Sequence, residues 1–146
     1  MPGQTPRHPD GAFDDLRGAV HDGMSTAELA RTDAWLAGWQ CFETGFYWEA
    51  HELWEPVWMA LPEGAPERAL VQAAIQLANA GLKARMGRLR AVFRLCDIAQ
   101  GLLDGGGWQG CAAMGVPADC LRMILGRLRD GESVLCSESR DVQNNA

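Results

Sequence analysis

Along residues 25–130 apolar side chains return at intervals of three and four, which marks one face of an α-helix, and no stretch alternates apolar and polar residues between turn residues. Helices are therefore expected and strands are not. Ser25, Thr26, Ala27 and Glu28 have the form of a capping box and begin a helical stretch that restarts near Thr32 and Asp33. Trp35, Leu36, Trp39 and Phe42 follow at helical spacing until Gly45, a residue suited to ending a helix. The second helix runs from about Phe46 to Leu61 and is broken by the segment Pro62 to Pro66. Pro66 suits a first helical position, and from it the longest helix continues to Gly87. Leu89, Val92, Phe93, Cys96 and Leu103 mark a fourth helix that closes at Asp104 and the glycines after it, with a loop through to Gly115. Pro117 opens a fifth, in which Leu121, Ile124, Leu125 and Leu128 form a narrow apolar stripe opposite Arg122 and Arg127. The pattern predicts an all-α, single-domain bundle of about five helices with short connections and no internal repeat.

Residues 1–12 hold three prolines and two glycines with little to bury and read as a flexible arm; residues 137–146 read as a flexible tail, leaving 13–136 as the helical domain. A chain of 146 residues with 47% hydrophobic and 22% charged residues suits one core. The net charge of −6 argues against a protein that grips nucleic acid over its whole surface. Five cysteines, at 41, 96, 111, 120 and 136, show neither a CxxC pair nor zinc-finger spacing and fit free thiols in a reducing compartment. The N-terminus has no apolar signal region, and no run nears the roughly 20 apolar residues that span a bilayer. A cytoplasmic protein with no membrane partner is expected.

The chemistry concentrates in Trp48 to Trp58, "WEAHELWEPVW", where one histidine, three glutamates and three tryptophans share about three turns. At about 100° per residue, Tyr47, Trp48, His51, Trp54, Glu55 and Trp58 fall within one broad face, with Glu49, Leu53 and Pro56 pointing the other way. A carboxylate among aromatics is costly unless paired. Pro56 removes one backbone donor from this helix and predicts a kink or a tolerated exposed position. The next helix carries Arg68, Gln72, Gln76, Asn79 and Lys83 in one polar line. Its centre is amide, and amides satisfy buried groups without adding charge. The expectation is that this line faces His51 and Glu55 across an interhelical groove, while Ala73, Ala74, Ala78, Ala80 and Gly81 let other helices approach closely.

The segments "FETGFYWEAHELWEPVW" and "VQAAIQLANAGLKARMGRLRAVFRLCDIA" resemble the bacterial and archaeal proteins grouped as domain-of-unknown-function family 309, over roughly Trp35 to Asp130. That family is marked by a histidine, three residues, a glutamate, two residues and an aromatic, positions held here by His51, Glu55 and Trp58. The resemblance implies an all-helical fold and no established activity, with metal binding attached to the motif only as a suggestion. This chain has Gln72 and Ala73 where relatives carry a Gln-Gly pair, and Lys83 where many carry histidine.

Two readings of the motif remain open. In the first it is structural, or binds a small ligand or a partner: Glu55 accepts a hydrogen bond from His51, Gln72 or Gln76, and tryptophans fill the space around them. In the second, His51 and Glu55 are ligands of a divalent metal such as zinc in a metal-binding protein or metal-dependent hydrolase. Glu52 would then take a general-base position as the candidate catalytic residue, and Glu43, Asp97 or Gln76 could complete the ligand set. Leu95, Ile98 and Leu102 give the fourth helix a second apolar side that would suit a homodimer. Lys83, Arg85, Arg88, Arg90 and Arg94 cluster at the turn between the third and fourth helices, as complements to a helix C-terminus or as an anion site. No phosphate loop, dinucleotide fingerprint or serine-nucleophile elbow is present, and neither Cys96 nor Cys111 has a neighbouring base in sequence.

Overall fold

Because a helix leaves its first N–H groups without partners, the chain must supply caps, and two of them organise the N-terminal part. The structure, a computed structural model, describes residues 13–105 and 112–131. Among these, seven helices follow in order: α1 (Asp14–Gly18), α2 (Thr26–Ala30), α3 (Asp33–Glu43), α4 (Tyr47–Ala60), α5 (Pro66–Arg85), α6 (Leu89–Gly105) and α7 (Ala118–Arg129). Two-residue strands, β1 (Ala112–Ala113) and β2 (Val116–Pro117), pair antiparallel just before α7. The architecture is the expected all-α bundle. The arm at 1–12, the tail at 137–146, and Cys111 and Cys136 lie outside the described residues.

The capping box closes through Glu28 N–H to Ser25 Oγ at 3.1 Å and Ser25 N–H to a Glu28 carboxylate oxygen at 3.2 Å. Thr32 caps α3 by accepting from the Trp35 N–H at 3.2 Å. Gly45, at φ +86°, and Gly87, at φ +74°, occupy the left-handed conformation that ends α3 and α5. α1 was not indicated by the sequence, since five residues are too few to display a helical period; Phe13 and Leu16 nevertheless pack on the core. The loop expected before Gly115 ends in a tight hairpin with Met114 at φ +54° and Gly115 at φ +72°, both positive as a two-residue turn between strands requires.

α4 lies between α3 and α5, and α5 also packs on α6. Close approach of α3 and α4 depends on Gly38, where an added Cβ would sit 2.1 Å from Trp54 Nε1. Trp54 is fully buried, donates from Nε1 to the Trp35 carbonyl at 3.2 Å, and packs with its ring centroid 4.7 Å from Trp39 and 5.4 Å from Trp35. Trp35 in turn donates to the Met114 carbonyl at 2.8 Å and so ties the hairpin to the aromatic core. On the other side Gly81 of α5 admits the Tyr47 ring, whose atoms would meet a Cβ at 2.9 Å. Ala73, Ala74, Ala78 and Ala80 are buried as expected of close-packing residues. α7 runs antiparallel to α6: Arg122 meets Asp104 at 2.8 Å, and Arg129 meets Asp97 at 2.5 Å and Gln100 at 2.7 Å. Its predicted stripe, Leu121, Ile124, Leu125 and Leu128, is buried.

α4 is covered on two sides, so Leu53 is fully buried and Glu49 is 6% exposed although both point away from the motif face. The α6 core face is built from Val92, Leu95, Cys96, Ala99 and Leu103, whereas Leu89 and Phe93 stand on the surface. Leu95 thus belongs to the core rather than to a second apolar side, Leu102 packs against the core, and Ile98 is the exposed member of that trio. α4 continues as a helix through Pro56. Among the described residues no helix is long and apolar enough to cross a membrane.

Candidate functional site

On α4 the motif residues straddle the boundary between core and solvent, because consecutive motif positions spread around the helix by tens of degrees. Trp54 faces the core, His51 sits at the edge with its side chain 20% exposed, and the Glu55 side chain is 47% exposed. His51 is held at both ring nitrogens: Nδ1 lies 2.7 Å from Asn79 Oδ1 on α5, and Nε2 lies 2.9 Å from Glu55 Oε2 one turn along α4. Each ring nitrogen thus has a polar oxygen within hydrogen-bond distance, one on α5 and one on α4. The Trp48 ring covers one side of His51 with centroids 5.6 Å apart. This geometry orients a carboxylate and joins two helices.

The polar line of α5 meets α4 at two points. Asn79 reaches His51, and Arg68, at the other end of the line, donates from Nε to the Trp58 carbonyl at 3.1 Å while its guanidinium lies 4.4 Å over the Trp58 ring. The order is reversed along the two helices, as an antiparallel pair requires. Gln72 and Gln76, the amides expected beside Glu55, make no hydrogen bond to α4 among the described residues. Gln72 instead lines a cleft of about 230 Å³ with Gly64, Ala65, Pro66, Arg68, Ala69 and Gly105. Trp58 is therefore a packing partner of Arg68 and does not touch the His51–Glu55 pair through any described hydrogen bond; its Nε1, like that of Trp39, is buried without a partner among the described residues.

Glu55 looks into a separate groove of about 420 Å³ between α1 and α4, lined by Asp14, Arg17, Gly18, Glu52, Pro56 and Met59. Arg17 binds Asp14 and lies 3.7 Å from Glu52, so the α1 cation stands opposite the two α4 carboxylates. Sequence reasoning had no signal for this groove, because the helix that forms its second wall is too short to be read. Asn79 and Arg68 were legible as members of the polar line, but which member meets which α4 residue depends on the offset between the helices.

The other residues considered as metal ligands are dispersed. Glu43 is exposed on α3, and Asp97 pairs with Arg129 on the α6–α7 side. Among the described residues no group of three or more His, Cys, Asp or Glu side chains is placed to hold a metal ion. Among the described residues, Cys41 and Cys96 are buried thiols outside any disulfide. Burial first, and the Glu49 charge second, push the Cys41 thiol up to about 11, and burial also raises the Cys96 thiol, so both are held in the protonated, weakly nucleophilic form at neutral pH.

Residues 35–95 match the family described as Domain of unknown function (DUF309). Over that segment the chain is similar to the DUF309 family. The match spans α3, α4, α5 and the first part of α6, and so includes His51, Glu55, Trp58 and Asn79. Neither curated proteins nor solved structures give a match.

Proposed function

We propose that this domain is a binding module in which the Asn79–His51–Glu55 chain of hydrogen bonds is structural, fixing α4 against α5 and presenting Glu55 at the rim of the α1–α4 groove. The observation that carries this reading is the engagement of both His51 nitrogens inside the protein, at 2.7 Å and 2.9 Å. A metal at Nε2 would have to displace Glu55 from the imidazole, and Glu52, the nearest further carboxylate on α4, already faces Arg17. The groove sets three carboxylates, Asp14, Glu52 and Glu55, beside one guanidinium, a balance that suits a small ligand or partner bearing a positive group. The buried thiols Cys41 and Cys96 suit the cytoplasm. A homodimer through α6 would rest on Ile98, which is 39% exposed, and sedimentation at high concentration tests it.

Elemental analysis of the purified protein beside His51→Ala and Glu55→Ala separates the structural role from the metal role. The expected result is no stoichiometric metal in any of the three and a lower melting temperature in both variants, larger for His51→Ala. Stoichiometric zinc or another divalent ion, lost in both variants with folding retained, would overturn the reading in favour of a metal centre.

A further inference from the structure

We propose that the corner between α5 and α6 is a docking face for an acidic amphipathic helix of another protein. Three large apolar side chains stand out there: Met86 is 42% exposed, Leu89 60% and Phe93 47%. They are bordered by Lys83, Arg88, Arg90 and Arg94, and among the described residues none of these four cations forms an ion pair. On a chain of net charge −6 this is a local basic and apolar island.

Stabilisation of the helices explains only part of the cluster. Lys83 and Arg85 lie in the last turn of α5, where cations complement the helix dipole, and Arg85 is further used in donating to the Gly45 carbonyl at 2.6 Å and lying 4.8 Å over the Tyr47 ring. Arg90 sits at the opposite pole, in the first turn of α6 at the positive end of its dipole, and no acidic residue in that turn offsets it. Folding alone thus disfavours the Arg90 charge, and a negatively charged partner reverses the sign of that effect.

The spacing selects a helix as partner. Leu89 and Phe93 are four residues apart on α6, and Arg90 and Arg94 form a second row of the same spacing, turned about 100° from the first. An apolar row beside a parallel cationic row is matched by a helix with an apolar seam and glutamates or aspartates along its flank. A second copy of this chain meeting the same face would set arginine against arginine, and a phosphate backbone would leave the three apolar side chains without a counterpart.

The test uses the full chain and a fluorescent synthetic helical peptide with leucines at every third and fourth position and glutamates along one flank, beside the same peptide with lysines for the glutamates. Anisotropy is expected to show saturable binding of the glutamate peptide that weakens as salt is raised. The double variant Arg90→Glu/Arg94→Glu should lose at least about tenfold in affinity for it and gain affinity for the lysine peptide. Phe93→Ser should weaken binding while circular dichroism shows an unchanged fold, since the side chain is largely outside the core. The proposal is overturned if the glutamate peptide does not bind, if both peptides bind alike, or if the charge-reversed variant binds it as before. It is equally overturned if a single-stranded oligonucleotide competes as well as the peptide, or if the chain dimerises through this face.

Discussion

Helix α4 carries two neighbourhoods on one cylinder. Toward α3, Trp54 is wholly buried among Trp35, Trp39 and Phe42 with ring centroids 4.7–5.9 Å away; toward α1 and solvent, the Glu55 side chain is 47% exposed and rests on His51. The two differ in what they contribute. Burying a tryptophan stabilises by a few kcal/mol at about 25 cal/mol per Å², whereas a hydrogen bond in a half-exposed pair is worth about 1 kcal/mol net. The aromatic side therefore sets stability, and the polar side sets orientation: it fixes which way a carboxylate points and how α4 is registered against α5.

The largest effect belongs to the aromatic side. Trp54→Ala is expected to lower unfolding free energy by about 3–5 kcal/mol in urea titrations, and a loss below about 1 kcal/mol would show that the ring cluster is not the main source of stability. Gly38→Ala comes next, at about 1–3 kcal/mol, because the new methyl meets the rigid Trp54 indole; near-ultraviolet circular dichroism should change with it. Unchanged stability there would mean that α3 and α4 separate freely. On the polar side His51→Ala should cost about 1–2 kcal/mol, since it removes the partner that Asn79 and Glu55 share. The smallest effect is expected for Arg17→Ala, within about 0.5 kcal/mol, as its pairs with Asp14 and Glu52 are solvent-exposed. An Arg17 effect larger than that of His51 would reverse the ranking and make α1, rather than α5, the chief support of the site.

The helices from Ser25 onward could be read in the sequence because caps, glycine stops and apolar spacing agree there, as at Ser25, Thr32, Gly45 and Gly87. The polar line of α5 was legible for the same reason, as a repeat on one helix. Its pairing was not: antiparallel α4 and α5 could slide by a turn without altering either pattern, and only packing around Gly81 and Tyr47 brings Asn79, rather than Gln72 or Gln76, to His51. Covering α4 on two sides likewise buried Leu53 and Glu49, positions that a one-sided helix would expose. Leu89 and Phe93 show the converse, apolar residues in a helical pattern that the core does not use.

The central claim, that His51 links α4 to α5 through Asn79, is tested most directly by a double-mutant cycle. Unfolding free energies are measured for the parent, His51→Ala, Asn79→Ala and the combined variant. A favourable coupling of about 0.5–1.5 kcal/mol is predicted for two side chains 2.7 Å apart in one network. Strict additivity, with the two single losses summing to the double, would contradict it.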